Sequence, residues 1–458
     1  MAKLSFKDKL GYGPAAYGDA ACYSLVCTFL LFFITTVADI PPAAAGSIIA
    51  FGTVVDAVLN TIMGYLTDNV KTRWGRRVPF MVVFGTFVFI TTLLLFTGIH
   101  STYMVKVIYY SVMIALFWIS YTGFFVPYLA LGAEFTQDYQ ERTTLRSYAA
   151  FFNMLGSMTA MTAPAAIVDM LTNMGFTTER AWSLTAGAIG LIASVTVLIT
   201  AAVARKFDRP NTDKIIEIPN FSIIGLFRQY LQVLKLKPIR WLLLTSLFFL
   251  ISYGIFLSDM LYFFTYNLGL GSGHISVMLF LRCLVGVLII PVVSKVCALT
   301  DKRSALIIFQ MVCAVLIAAS KITGIGNDFR LYLFIVLIGT ATVTYWQVMP
   351  AMIYDVCEYD QLETGMQRQG TIVSIQGLVE AISSGIGAQI LGLILQFAGF
   401  NSDAAAQSAH TMEWIENCTT FIPAILLFLS CVALWKYPIT KKVYEDICRK
   451  LEDSKSSR

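Results

Sequence analysis

The chain has 458 residues, of which 57% are hydrophobic and only 13% charged, and its mean hydropathy is +0.71. Soluble domains carry about 25% charged residues, so the composition excludes an ordinary soluble domain and points to an integral membrane protein. The net charge of +5 calls for no nucleic-acid partner, because basic loops facing anionic lipid account for it.

The first ten residues are basic, but the apolar stretch behind them is long and has no small-residue cleavage pattern. It reads as a retained span, not as a signal peptide. A span needs about 20 mainly apolar residues, and such runs predict twelve. The first six centre near Val26, Val55, Phe87, Phe117, Gly156 and Ile192, the second six near Leu250, Val287, Leu316, Ile338, Ile386 and Leu426. Between them lies the longest polar connection, which carries Pro210, Pro219 and a surface-helix pattern, SIIGLFRQYLQVLKL. The expected fold class is therefore all-α, with twelve transmembrane helices in two six-helix bundles. The bundles are residues 1–205 and 241–437, joined by a cytoplasmic loop at 206–240 and followed by a cytoplasmic tail at 438–458.

Orientation follows from Lys and Arg. Of the 33 present, Lys106, Arg180, Lys321 and Arg330 fall on one side and Arg282 inside a span, while all others fall on the opposite side. The positive-inside rule then places both termini in the cytoplasm of an inner or plasma membrane. The basic turn after span two, LTDNVKTRWGRRVPF, has a shortened counterpart after span eight, ALTDKRSALI. Asp68 with Arg73, Arg76 and Arg77 reads as a charge cluster able to latch neighbouring helices, besides setting topology.

Ionisable side chains inside spans are costly and mark candidate functional positions. Five qualify: Asp19, Asp56, Asp259, Arg282 and Glu380. Asp56 and Asn60 are one helical turn apart on one face, a carboxylate and an amide suited to a cation, a proton or a polar solute. Asp19 lies among glycines and alanines that permit close helix approach, with Tyr23 one turn on. Asp19 suits sugar hydroxyls or a pairing with Arg282. Glu380 has Gln376 one turn earlier and suits a solute or a proton. Carbohydrate C–H faces stack on rings, which singles out Trp346 with Gln347 beside Tyr345, and Tyr121 and Tyr128 around Pro127. No CxxC occurs among the nine cysteines, and His100, His274 and His410 are isolated at outer span ends. Neither a metal cluster nor a nucleophile–base pair is legible, so neither an enzyme nor a resident cofactor is expected.

At YGPAAYGD near the start, DAVLNTIMGYLTDNVKTRWGRRVPF, YTGFFVPY, ERTTLRSYAAFF and DVCEYDQLETGMQRQG, the chain resembles the glycoside-pentoside-hexuronide:cation symporters of the major facilitator superfamily. The melibiose permease is the best known of these. The likeness spans nearly the whole chain. It implies alternating access and sugar import coupled to sodium, lithium or proton, with a small solute and membrane lipid as partners of a monomer. Asp56 matches the first acid of the family's cation pair, and Asn60 stands where the second acid is expected. Asp19 falls one position before the sugar-binding acid, whose own place holds Ala20. Tyr121 and Thr122 match pocket positions, while Phe125 replaces the following acid and Leu129 the sugar-stacking Trp. Ala150 replaces an Arg. Gln376 matches, and Ala381 replaces a Lys beside Glu380. Losing one carboxylate weakens a sodium site and favours proton coupling or uncoupled transport. Losing both basic groups favours a neutral solute, or a cationic one, over a uronide.

Overall fold

The computed structural model describes residues 5–69, 75–135, 139–208, 230–325, 328–365, 368–402, 404 and 406–456. Apart from a bridge residue at Gly75, the regular structure among them is helical, as lipid demands of a chain that must satisfy its own backbone. The helices are α1 (Phe6–Tyr12), α2 (Pro14–Phe32), α3 (Pro42–Asn69), α4 (Val78–Leu95), α5 (Tyr103–Phe135), α6 (Tyr139–Asn173) and α7 (Thr178–Ala204). They continue with α8 (Lys237–Tyr262), α9 (Ser272–Leu299), α10 (Lys302–Thr323), α11 (Asp328–Thr364), α12 (Gln369–Phe397), α13 (Ala409–Thr419), α14 (Phe421–Trp435) and α15 (Lys441–Ser456). Among the described residues, twelve helical stretches are long and apolar enough to cross a membrane, and each contains one of the expected centres.

The chain divides into two compact units. The first comprises residues Met1–Pro219, Phe264–Phe280 and Ala388–Thr411, the second Asn220–Phe263, Leu281–Gly387 and Met412–Arg458. In the first, α2 packs on α6 and α7, α4 on α5 and α7, and α3 on α5. In the second, α14 packs on α8 and α10, and α10 on α11. In an apolar 18-residue stretch of each of the spans Phe6–Val37 and Lys237–Asn267, 72% of the residues are buried, against 28% in Ser272–Leu299. The first two are therefore core helices, while α9 is peripheral.

Close approach in lipid depends on small residues and van der Waals contact rather than on a hydrophobic drive. Gly156 of α6 faces the Tyr17 carbonyl of α2, and a Cβ there would lie 2.3 Å from that oxygen. This contact brings α6 within side-chain reach of Asp19.

The first and seventh spans end alike. Each closes in a five-residue π turn, Phe33–Val37 and Phe263–Asn267, followed by a left-handed residue, Asp39 at φ 55° and Gly269 at φ 58°. In both, the next N–H returns to a carbonyl six residues back, Ile40 to Ile34 at 3.1 Å and Leu270 to Phe264 at 2.9 Å. Asp39 is the one described non-glycine residue with positive φ, and its Oδ1 accepts the Ser402 hydroxyl at 2.7 Å.

The expected charge latch after span two falls only in part within the described residues. Arg73 and the side chain of Asp68 lie outside the described residues. Arg76 and Arg77 contribute backbone: with Val78 their N–H groups donate to the Asp208 carboxylate at 3.0, 2.8 and 2.8 Å. Asp208, 2% exposed, thus caps the N-terminus of α4, where orphan N–H groups and the helix dipole favour an anion. The tight entry requires Gly75 at φ 111°, where a Cβ would lie 2.2 Å from the Asp208 carboxylate. The Arg77 guanidinium donates to the Ala130 carbonyl of α5 at 2.7 Å. In the shortened copy, Asp301 caps α10 by accepting the Ser304 N–H at 2.9 Å, and Lys302 pairs with Asp355 of α11 at 2.6 Å. Of the expected surface helix at 222–236, residues 222–229 lie outside the described residues and Tyr230–Val233 form a helical turn.

Candidate functional site

The first unit holds a polar cluster built by α2, α3, α5 and α6. Asp19, 8% exposed, accepts the Tyr121 hydroxyl on Oδ1 at 2.5 Å and the Asn153 amide on Oδ2 at 3.2 Å. Asp56 accepts the Thr122 hydroxyl at 2.6 Å and the Asn60 amide at 2.9 Å, both on Oδ1. The Asn60 amide also donates to the Asp56 carbonyl at 3.0 Å, which confirms the one-turn spacing read in the sequence. Tyr121 and Thr122 are consecutive, so one turn of α5 holds the acid of α2 with one residue and the acid of α3 with the next.

Of the two positions expected in the pocket, Tyr121 thus bonds to Asp19 and Thr122 to Asp56. Rings surround Tyr121: Phe125 is stacked at 5.5 Å, Trp118 is edge-on at 5.3 Å, and Tyr23 lies 6.2 Å from both Tyr121 and Trp118. Phe125, in the place of the family's acid, is thus part of the aromatic wall. Ala20 is buried at 5%, and Asp19 carries the polar contacts of that turn.

The second unit holds a cluster built by α8, α11 and α12. The Gln376 amide of α12 donates to Ser246 Oγ at 3.0 Å, Tyr345 Oη at 3.3 Å and Glu380 Oε1 at 3.1 Å. The Tyr345 ring lies face to face on Phe249 at 3.8 Å. Phe249 is in turn parallel to Tyr253 at 6.3 Å, and the Arg282 guanidinium lies 5.9 Å from the Tyr253 ring. Trp346 is edge-on to Tyr345 at 5.5 Å and 43% exposed. Gln347 is not brought into this cluster. Its amide donates to Ser294 Oγ at 2.7 Å and the Ile290 carbonyl at 3.4 Å, tying α11 to α9, because neighbouring helical residues point about 100° apart.

An inventory of charged residues within spans misses Asn153, Ser246 and Trp118, which are neutral. Lone amides in apolar runs, such as Asn153 in AAFFNML, were the available signal. Among the described residues no group of three or more His, Cys, Asp or Glu side chains is placed to hold a metal ion.

Residues 11–441 match the family model described as MFS/sugar transport protein. The chain belongs to that family, and within it to the symporters that its motifs resemble. An uncharacterized symporter, YnaJ, of Bacillus subtilis (strain 168) is 28% identical over 98% of this chain and 96% of its own length. The isoprimeverose transporter of Lactiplantibacillus pentosus is 24% identical over 96% of this chain and 90% of its own. A glucuronide carrier protein homolog of Escherichia coli (strain K12) is 25% identical over 99% and 97%. Among solved structures, the nucleoside transporter NupG superposes with a TM-score of 0.67 at 12% identity, covering 95% of this chain and all of that one. The xylose transporter XylE from E. coli, in an inward open conformation, also scores 0.67 at 12% identity, over 96% and 98%. These two support the fold alone. The MFS/sugar transport family is one of transporters rather than enzymes, and with twelve apolar helices the chain is a multi-pass membrane protein.

Proposed function

We propose that the chain is a secondary active transporter that carries a sugar or glycoside together with a proton or sodium ion by alternating access. The observation that carries this reading is the Tyr121–Thr122 pair, through which one turn of α5 grips Asp19 and Asp56 at once. Asp19, with Tyr23, Tyr121 and Asn153, is the solute side, where a carboxylate and hydrogen-bonding groups meet rings. Asp56, Asn60 and Thr122 are the ion side. A solute that changes the Asp19–Tyr121 contact acts on the turn that also holds Asp56, and an ion at Asp56 acts on the same turn in reverse. That reciprocity is what coupling requires. Within the second unit, Gln376, Glu380 and Tyr345 form a polar cluster of amide, carboxylate and phenol whose chemistry also suits a solute.

No resident cofactor is needed beyond the coupling ion. The protein works as a monomer in an inner or plasma membrane with both termini in the cytoplasm, its partners being the solute and surrounding lipid. The names of its relatives, an isoprimeverose transporter and a glucuronide carrier homolog, support a glycoside.

The test is uptake of a panel of labelled glycosides into proteoliposomes under imposed sodium or pH gradients. One gradient should drive accumulation, and Asp56→Asn should abolish accumulation while leaving solute exchange. If uptake ignores both gradients and Asp56→Asn leaves it unchanged, symport is lost. A second reading, an uncoupled or proton-coupled transporter of a different small polar solute, including a cationic one, is favoured by one feature. The hydrogen-bond donors described on Asp19, Asp56 and Glu380 are phenol, hydroxyl and amide groups, all uncharged.

A further inference from the structure

Asp259 of α8 has no part in either cluster. It is fully buried, at 0% exposure. Its Oδ2 accepts the Thr419 hydroxyl at 2.5 Å, while Oδ1 is buried without a hydrogen-bond partner among the described residues. The residues along its helix, Ile255, Phe256, Leu257, Met260, Leu261 and Tyr262, are all buried. From α11 the side chain Phe334 covers this stretch, 6.2 Å from Phe256 and 6.4 Å from Phe263. A carboxylate taken out of water with one neutral donor is uncompensated, and it demands a positive charge from somewhere.

The partner helix is broken at this point. α13 ends at Thr419 and α14 begins at Phe421, with Thr420 between them at φ −116° and ψ −72°. Pro423 has no N–H to give to the carbonyl of Thr419. The Thr420 N–H and hydroxyl both turn back to the Glu416 carbonyl, at 3.0 and 2.5 Å. The C-terminal end of a half-helix collects partial negative charge on its last carbonyls, and discontinuous spans use such ends, with side-chain oxygens, to hold small cations. The charged and titratable groups of the neighbouring helices are engaged or buried. Glu416 of α13 is paired with Lys321 of α10 at 2.8 Å, Cys418 is a buried thiol, and Arg330 of α11 donates to the Thr323 carbonyl.

We propose that Asp259, Thr419 and the break between α13 and α14 form a second site for a monovalent cation, in the second unit and independent of Asp56. Proton and alkali ion share the relevant chemistry, one positive charge delivered to Oδ1 of a buried carboxylate. A cation bound by the folded chain and not by the unfolded one stabilises by mass action.

The experiment is thermal unfolding of the purified full-length protein, titrated with sodium chloride against choline chloride at fixed pH, and separately with pH in choline. Wild type should gain unfolding temperature with one of the two, sodium marking an alkali ion and pH a proton. An ion at Asp56 contributes to the same gain. Asp259→Asn should therefore lose one part of it, Asp56→Asn should keep that part and lose the other, and the double variant should lose both. Thr419→Val retains the acid and should move the midpoint of the response to higher cation concentration, so the site remains testable if Asp259→Asn fails to fold. A response identical in wild type, Asp259→Asn and Thr419→Val overturns the site. No solute or gradient is involved, and a response lost only in Asp56→Asn would also overturn this site while leaving the symport reading intact.

Discussion

At the scale of single residues, consequences concentrate on two donors that hold acids. Thr122→Val removes the hydroxyl from Asp56 with little change of shape and leaves Asn60 in place. A hydrogen bond to a charged group contributes about 1.5–3 kcal/mol, so the ion or proton concentration for half-maximal uptake should shift by about tenfold or more. Solute affinity at saturating ion should change little, and uptake against ion concentration in proteoliposomes separates the two. Asn153→Ala acts on the other side. It removes the second donor from Asp19 and should weaken solute binding by about tenfold on the same scale, while the ion midpoint holds. A matched fall in both quantities would assign Asn153 to the general packing of α6. The spacing of Asp56 with Asn60, and of Gln376 with Glu380, was legible because four residues are one helical turn. The Thr122 and Asn153 contacts were not, since they join positions 66 and 134 residues apart and depend on which helices pack.

At the scale of elements, two joints organise the first unit. Asp208 closes the entry to α4 by accepting three N–H groups. Leaving them unmet costs about 1–3 kcal/mol for each group that stays buried. Asp208→Ala should therefore lower the unfolding temperature markedly, and Asp208→Asn, which keeps one acceptor oxygen, should lower it less. Equal losses in the two variants would point to shape alone. The close approach of α6 to α2 is the other joint. Gly156→Val places side-chain atoms where the Tyr17 carbonyl stands, so the helices must separate and Asn153 must leave Asp19. Loss of solute binding together with stability is the expected result, read by uptake and thermal unfolding of the same preparation. The RWG motif was visible in sequence as a basic turn, but the acid that closes it was not. Asp208 lies about 130 residues further on, in a loop where one more carboxylate carries no signal.

At the scale of the whole molecule, twelve spans and a lopsided distribution of Lys and Arg predict sidedness. A tag appended after Arg458, beyond α15, should react with a membrane-impermeant reagent in inside-out vesicles and be protected in right-side-out ones. The opposite pattern would invert the topology and, with it, the side on which Arg76, Arg77 and Lys302 lie. The sequence by itself determined the number of spans, the helical class and the family. Bilayer thickness sets span length, and an apolar run of that length has no other stable form in lipid. It also determined that Asp56 and Asn60 share a face. The tertiary structure decided the rest. Helix packing gave Asp19 to Tyr121 and Asn153, gave Asp56 to Thr122 and sent Gln347 to α9. It also set Asp259 against a helix break 160 residues away. The reason is physical: helical periodicity is written locally, whereas the partner of a buried polar group is chosen by whichever helix comes closest, and small residues such as Gly156 decide which one that is.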